Sequence, residues 1–453
     1  MSKKQSIILG TFVLTLTGFL SRFMGFFYRI FLSRVFGEEG IGLYQLIFPV
    51  YALCISFSIS GIETALSRTV ARKRALGKSD EAREVLLSGL TVAFFLSLFC
   101  TFFIQKNAFF IADRLLHDSR CKNMLIILSY AFPFCAIHSC ICGYYYGLKE
   151  TKIPAISQLI EQSTRILSVY IFFLFLIRKG QTVSISIAVS GLVIGELFST
   201  VYAAQIFNHF PSDLAAVTNL CKNFPRHLRE LFSLSIPLTA NRVLINLLQS
   251  IEAISIPMQL RRFQYSASES LRIYGVLNGM ALPCILFPTA VTSSLSIMLM
   301  PAVAEIQASQ APSSLLRIIK KVTRFCFSLG LFSCLCFLLF GHTLGNILFH
   351  STSAGNFIVT LSWICPFLYV NSSFLSIING LGKTGWTFLI NTLGLSVRIL
   401  SVFYIIPLFG IQGYLWGLLS SQLLVSLLCI FLIYHWFSIN QEKVWWFHAF
   451  SFT

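Results

Sequence analysis

The sequence predicts an all-α integral membrane protein of about twelve transmembrane helices, arranged as two parallel six-helix repeats around a central cavity. Three observations lead there. The 453 residues are 56% hydrophobic and 11% charged, with 45 Phe and a mean hydropathy of +0.77, far from the composition of soluble globular domains. Apolar runs such as 85–105 and 183–207 recur at the length a helix needs to cross a bilayer core, about 20 residues. The chain also matches itself when slid by 233 residues.

Glycine, proline and charge breaks divide the apolar runs into spans at 7–33, 41–65, 85–105, 124–147, 153–177, 183–208, 231–257, 271–301, 321–341, 355–380, 384–408 and 411–437. The alternation of a transmembrane strand is absent. The first span follows Lys3 and Lys4 but exceeds a signal-peptide core and has no small-x-small cleavage site, so it is expected to be retained. An even number of crossings puts both termini on one side. With residues at the span edges counted as loop, that side carries 19 Lys/Arg against 10 on the other, which predicts that both termini are cytoplasmic.

The expected organisation is an N-terminal six-helix lobe at 1–210, a cytoplasmic linker at 211–230, a C-terminal six-helix lobe at 231–437 and a cytoplasmic tail at 438–453. The richest basic loop, RTVARKRALGKSDEAR at 68–83, reads as a topology determinant against anionic lipid rather than a nucleic-acid site, and it accounts for much of the net charge of +17. Thirteen cysteines are scattered without a CxxC pair, which points to apolar packing instead of a disulfide or metal framework. No loop exceeds about 25 residues, leaving no room for a soluble catalytic domain.

At the 233-residue offset, 133–169 aligns with 366–402 with 12 of 37 positions identical and no gap, where about three would be expected by chance. Pro133/Pro366, Gly147/Gly380, Thr151/Thr384 and Arg165/Arg398 are among the matches. Weaker ones extend to Gly42/Gly275, Leu66/Leu299, Val70/Val303 and Ala71/Ala304. Six spans per copy give the two halves the same direction across the membrane, an arrangement found in secondary transporters.

Five basic side chains fall inside the spans, and all are arginine: Arg22, Arg29, Arg165, Arg242 and Arg398. They occupy the first and fifth helices of each half. All but Arg29 lie roughly 12 to 16 residues from the cytoplasmic helix end, near the bilayer midplane at about 1.5 Å per residue. A charge at that depth costs about 2.5–3.5 kcal/mol even on lenient scales, so these groups are expected to face water, protein or ligand. Glu161, one turn before Arg165, is its expected partner. Glu196, Glu252 and Glu63 are the other acids in or near the spans, and the basic excess points to an anionic guest. A guanidinium fork suits phosphate because it stays charged when dried and binds two oxygens at once. Gln158, Gln162, Asn241 and Asn391 are the polar residues placed to support it.

No phosphate-binding loop, HExxH helix or other catalytic signature occurs, so a transporter without a cofactor, metal or nucleic-acid partner is expected rather than an enzyme. His138 reads as a packed polar residue opposite Asn371 in the repeat.

The segments GEEGIGLYQLIFPVY (37–51), GLKETKIPAISQLIEQSTR (147–165), SIPLTANRVLINLLQSIEAISIP (235–257) and YGVLNGMALPCILFPTAVTSSLSIMLMPAVAE (274–305) resemble the stage V sporulation protein B-like group of polysaccharide biosynthesis proteins. That group belongs to the multidrug/oligosaccharidyl-lipid/polysaccharide exporter superfamily. The resemblance implies a multi-pass flippase of the bacterial cytoplasmic membrane, acting as a monomer. It would carry an undecaprenyl-diphosphate-linked saccharide such as lipid II between leaflets, with a sodium ion or proton as a conceivable coupling ion. Lipid II flippases of the superfamily carry an SRxxGFxR-like pattern in their first helix. SRFMGFFYR is similar and supplies Arg22 and Arg29, with one extra residue before the second arginine. Two readings compete: a cation-coupled multidrug exporter on the same fold, which would want intramembrane carboxylates, and a non-transporting envelope scaffold, in which the arginines would be dispensable.

Overall fold

The structure is a computed structural model that describes residues 3–207, 214–308 and 312–450; among these residues all regular secondary structure is helical. Eleven helical stretches are long and apolar enough to cross a membrane, by length and composition, from Val13–Ala75 to Ile411–Ser438. The first has 63 residues, about three times what one crossing takes, so it holds two. The break lies in α1 (Lys3–Leu46) at Gly37, whose φ of 68° and ψ of −175° are open in practice only to glycine. It falls between the expected spans 7–33 and 41–65, and counting it restores twelve crossings.

Beyond it follow α2 (Phe48–Ile55), a π-helical turn (Ser56–Ser60), α3 (Gly61–Ala75), α4 (Ser79–Phe110), α5 (Cys121–Ser129), α6 (Ala131–Leu148), α7 (Lys152–Arg178) and α8 (Ser186–Ile206). The remainder comprises α9 (Leu214–Arg262), α10 (Ala267–Gly275), α11 (Leu282–Leu286), α12 (Thr289–Ala308), α13 (Pro312–Phe349) and α14 (Thr352–Leu361), then α15 (Cys365–Gly380), α16 (Thr384–Leu400), α17 (Ile406–Phe409) and α18 (Ile411–Phe450).

Several expected boundaries shift. From Leu214 the 211–230 segment is helical and continuous with the seventh span, because its polar side chains find partners: Asn223 and His227 reach Glu84 Oε2 at 3.0 and 2.9 Å. Glu230 pairs with Arg72 and lies 3.4 Å from Lys73 Nζ. Basic residues of 68–83 are therefore partly committed within the protein rather than to lipid. The expected tail begins as a continuation of α18, which runs to Phe450. The span 271–301 is interrupted by a π-helical turn (Val276–Ala281) and by a non-helical turn at 287–288, beside Pro283 and Pro288. Proline lacks the N–H that would continue the ladder. Pro366 and Pro407 likewise follow a 3₁₀ turn (Ser362–Ile364) and a π-helical turn (Ser401–Ile405). Pro237 and Pro257 sit in α9 without breaking it.

Two compact units are present, Met1–Ile254 and Ser255–Thr453. Their division lies within α9 because most of that helix packs on the first unit. Ser250 Oγ donates to Pro49 O at 3.2 Å, and α3 meets α9 at Gly61, where a Cβ would stand 1.9 Å from Thr239 Oγ1.

The repeat is visible inside each unit. A Cβ on Gly147 would meet Ser67 O at 2.6 Å and Val70 Cβ at 2.8 Å; on Gly380, 233 positions later, it would meet Met300 O at 2.7 Å and Val303 Cβ at 2.9 Å. The turns that follow also correspond: Lys149 and Gly382, the same offset apart, both adopt left-handed φ, 63° and 74°.

Helix faces sort by size, as expected where lipid rather than water is the outer phase. α4 buries Gly89, Ala93, Ser97, Cys100 and Thr101 and turns Phe95, Phe99, Phe102 and Phe103 outward. Thr101 Oγ1 donates to Ser129 O at 3.0 Å, joining α4 to α5.

Gly37→Ala should lower the thermal midpoint of the detergent-solubilised protein by an amount equivalent to about 1–3 kcal/mol. Gly25→Ala, at a helical site with open space for a Cβ, should leave it unchanged or raise it; equal effects would remove the assigned role of Gly37.

Candidate functional site

The charged core of the first unit is built where α7 meets α8. α8 carries the run GLVIGE, in which Gly191 and Gly195 are four apart on one face. A Cβ on Gly191 would stand 2.2 Å from Val169 Cγ2 and 3.1 Å from Arg165 O; one on Gly195 would stand 2.8 Å from Glu161 O. The two glycines thus let the backbones approach as small-xxx-small motifs do in membranes, and they set α8 directly against the turn of α7 that bears Glu161 and Arg165.

That turn carries the expected ion pair: Arg165 Nη2 donates to Glu161 Oε1, both side chains being mostly buried at 16% and 14% exposure. Glu196, next to Gly195, follows the same approach into the interior and is 7% exposed. Its Oε2 lies 3.4 Å from His138 Nδ1 of α6 and completes no hydrogen bond. The His138 ring is held between helices. Ser157 Oγ of α7 lies 2.8 Å from Nε2, and Ser199 Oγ of α8 lies 3.4 Å from Nδ1.

Donor atoms of His138, Glu161 and Glu196 lie within 4.8 Å of one another, the set among the described residues that could converge on a metal. It fits a divalent ion poorly. The Arg165 guanidinium already neutralises Glu161, and both imidazole nitrogens face hydroxyl partners instead of presenting a free lone pair. Metal-bound imidazole would need one nitrogen unencumbered and about 2.0–2.1 Å from the ion.

The other predicted residues are distributed as follows. Arg22 is exposed and makes no ion pair among the described residues. Arg29, seven residues on, is half-buried and has contacts of its own. Arg242 on α9 is exposed, with Nη2 3.4 Å from Thr64 Oγ1 on α3. Glu63, beside Thr64, is within electrostatic reach of both Arg242 and His138. Gln158 and Asn241 are exposed and Gln162 is half-buried. Arg398, half-buried with contacts of its own, and exposed Asn391 lie on α16 of the second unit. The first unit therefore gathers Arg165, Glu161 and, through Glu63, Arg242 about His138 and Glu196. Sequence reading had named Glu196 only as an intramembrane acid and His138 only as packing. The signal that joins them is the GLVIG spacing just before Glu196.

One donor of the cluster remains unused. Arg165 Nε is buried without a hydrogen-bond partner, while Nη2 of the same guanidinium serves Glu161. Charge at this depth, on a repeated many-helix scaffold, marks a membrane protein of transporter fold.

Comparison with known proteins agrees, and the chain belongs to the polysaccharide biosynthesis protein family, whose model matches residues 7–307. Stage V sporulation protein B of Bacillus subtilis (strain 168) is 27% identical over 436 residues, 94% of this chain and 83% of that protein. The lipid II flippase MurJ of the same organism is 26% identical over 255 residues, 52% of this chain and 46% of MurJ. Among solved structures, an inward-facing multidrug resistance MATE family transporter of the MOP superfamily superposes with a TM-score of 0.72 at 12% identity, covering 93% of this chain and 96% of that one. Lipid II flippase MurJ in an inward closed conformation gives 0.70 at 15% identity, covering 93% and 87%. The fold is that of the MOP superfamily transporters.

Glu161→Ala should destabilise the protein by about 3 kcal/mol or more, since it strands a buried guanidinium. A double-mutant cycle with Arg165→Ala, read by chemical unfolding in micelles, should return a coupling energy above about 1 kcal/mol; additive effects would mean that the pair does not act as a unit.

Proposed function

We propose that the protein is a flippase that carries a polyprenyl-diphosphate-linked saccharide of the lipid II type across the cytoplasmic membrane. The observation that carries this reading is the pair Arg165 and Arg398. They sit on corresponding helices of the two repeats, α7 and α16, at the same position of a matching RILSV run. A duplicated scaffold that keeps an arginine at mid-helix in both copies, at about 2.5–3.5 kcal/mol each for burial in lipid, is arranged for a substrate with paired negative charges. A diphosphate is such a substrate. Family membership and the likeness to MurJ support the same class.

In this reading Arg165, Arg242, Arg22 and Arg29 supply the N-terminal share of diphosphate recognition and Arg398 the C-terminal share. Gln158, Gln162, Asn241 and Asn391 orient the guanidinium groups or contact sugar hydroxyls. Both termini face the cytoplasm, so the head group is captured on the side of synthesis. Alternating access then presents the arginines to one leaflet and afterwards to the other, while the polyprenyl tail stays in lipid. The charged head group is the part that needs carrying, because its desolvation is what makes unaided crossing slow.

Glu161 and Glu196 favour a second reading. They are intramembrane carboxylates of the type a cation-coupled multidrug exporter uses, and overexpression would then raise resistance to cationic drugs.

With fluorescent lipid II in proteoliposomes, Arg398→Ala should lower the flipping rate by about tenfold or more, the worth of one charge-assisted hydrogen bond. Arg398→Lys should be impaired as well, because an ammonium lacks the fork. Wild-type rates in both variants would remove the mechanism. Drug resistance without lipid II flipping would favour the exporter.

A further inference from the structure

Glu63 is an intramembrane acid still without a task, and two close approaches between helices fix where it stands. On one side α9 runs antiparallel to α3, with Glu230 by Arg72 and Thr239 by Gly61, where a Cβ would stand 1.9 Å from Thr239 Oγ1. From the next turn of α9, Arg242 reaches back along the helix and donates from Nη2 to Thr64 Oγ1 at 3.4 Å. Thr64 Oγ1 gives its own proton to Ser60 O at 3.1 Å, in the π-helical turn before α3, so a lone pair is what it offers the guanidinium. On the other side α6 comes up to Glu63 itself: a Cβ on Gly143 would stand 2.8 Å from Glu63 O and 3.2 Å from Glu63 Cγ. The stem of Glu63 is packed against α6, and its carboxylate is within electrostatic reach of Arg242.

The two charges do not close on each other. Among the described residues neither Glu63 nor Arg242 belongs to an ion pair, and the contact of the guanidinium is the Thr64 hydroxyl. Arg242 is exposed and Glu63 half-buried, so both keep polar atoms open to a guest. An ionised carboxylate only accepts and a guanidinium only donates. Held apart, they suit a group that does both. A sugar hydroxyl is such a group, its O–H donating to Glu63 while its oxygen accepts from Arg242. A phosphate is not, because it brings negative charge against the carboxylate. Nor does the scaffold need the acid: 233 residues on, Glu63 corresponds to Ser296, whose Oγ donates to Thr292 O at 2.7 Å in a neutral turn.

We infer that Glu63 and Arg242 form a saccharide subsite in the first unit, in which Glu63 accepts from a hydroxyl of the sugar next to the diphosphate and turns away polyprenyl diphosphate that carries no sugar. The identity of the lipid rests on the flippase reading above, which this subsite deepens. A lipid without its sugar ends in a terminal phosphate whose second proton leaves at a pH of about 6, so it places extra negative charge where the sugar would lie. Arg242 attracts both lipids. Glu63 separates them, since it gains a charge-assisted hydrogen bond from the sugar and meets a like charge in its absence. The carrier thereby moves lipid to which a sugar has already been attached.

The test uses the full chain in proteoliposomes carrying fluorescent lipid II, with undecaprenyl diphosphate or unlabelled lipid II as competitor. In the wild type, the concentration of undecaprenyl diphosphate that halves the flipping rate should exceed that of unlabelled lipid II by about tenfold or more, the worth of one charge-assisted hydrogen bond. Glu63→Gln should close most of that gap. Glu63→Ser, the residue at the equivalent place of the second repeat, should do the same and serves if Glu63→Gln does not fold. Equal inhibition by the two lipids in the wild type would overturn the subsite. So would a gap that both variants leave unchanged, including the case in which both lipids tighten equally because Glu63 is a counter-ion only. The same comparison is read without transport from the thermal stabilisation that each lipid gives the protein in micelles. No wild-type flipping would therefore remove the flippase reading while stabilisation still decides the subsite, and stabilisation by neither lipid would overturn it.

Discussion

An arginine and a glutamate one turn apart on an apolar helix, closed over by a neighbour that two glycines allow to come near, form the interaction on which the first unit depends. Neither charge is tolerable alone at that depth. Together they are tolerable only if the surroundings exclude lipid from the pair, and α7 cannot provide this itself, since only Pro154, Ala155, Ser157 and Val169 along it are buried. Gly191 and Gly195 of α8 supply the cover. The same close approach carries Glu196 in beside Glu161, and Glu196 in turn needs His138. One packing decision therefore assembles four polar side chains from three helices.

The two units share a scaffold and differ in chemistry. Gly147 and Gly380 make the same backbone contact one repeat apart, and the turns after α6 and α15 use the same left-handed residue position. Yet the first unit fills its interior with charge where the second places Asn371, Gln422 and Ser426 in neutral hydrogen bonds. Duplication fixes backbone geometry because a substitution at a close-approach glycine disturbs a whole interface. The polar residues set into that geometry are under no such constraint, and they are free to diverge in role. Arginine at α7 and α16 is what both copies retain, which is why the proposed diphosphate recognition rests on it.

Relatives of this chain include both a lipid II flippase and, by fold, a multidrug transporter. Such a scaffold does not by itself choose a cargo. The proposed cargo rests instead on the intramembrane charge: arginine is kept at the same place in both repeats, and Glu161 is already neutralised by Arg165.

The amino-acid sequence alone determined the all-helical class, the twelve crossings, the 233-residue repeat, the mid-helix arginines and the Glu161–Arg165 pair. All of these follow from composition, apolar run length and spacing within one helix, quantities local to the chain. It did not foresee that the chain from Leu214 onward is helix, held by Glu84 and Arg72 of other helices, and it joined 271–301 across a break beside Pro283 and Pro288. Only the tertiary structure decided that His138 and Glu196, 58 positions apart, face each other with the hydroxyls of Ser157 and Ser199 against the ring. Contacts between helices depend on which faces meet, and in a membrane those faces are chosen by small residues and hydrogen bonds rather than by the hydrophobic pattern, which here is nearly the same all round.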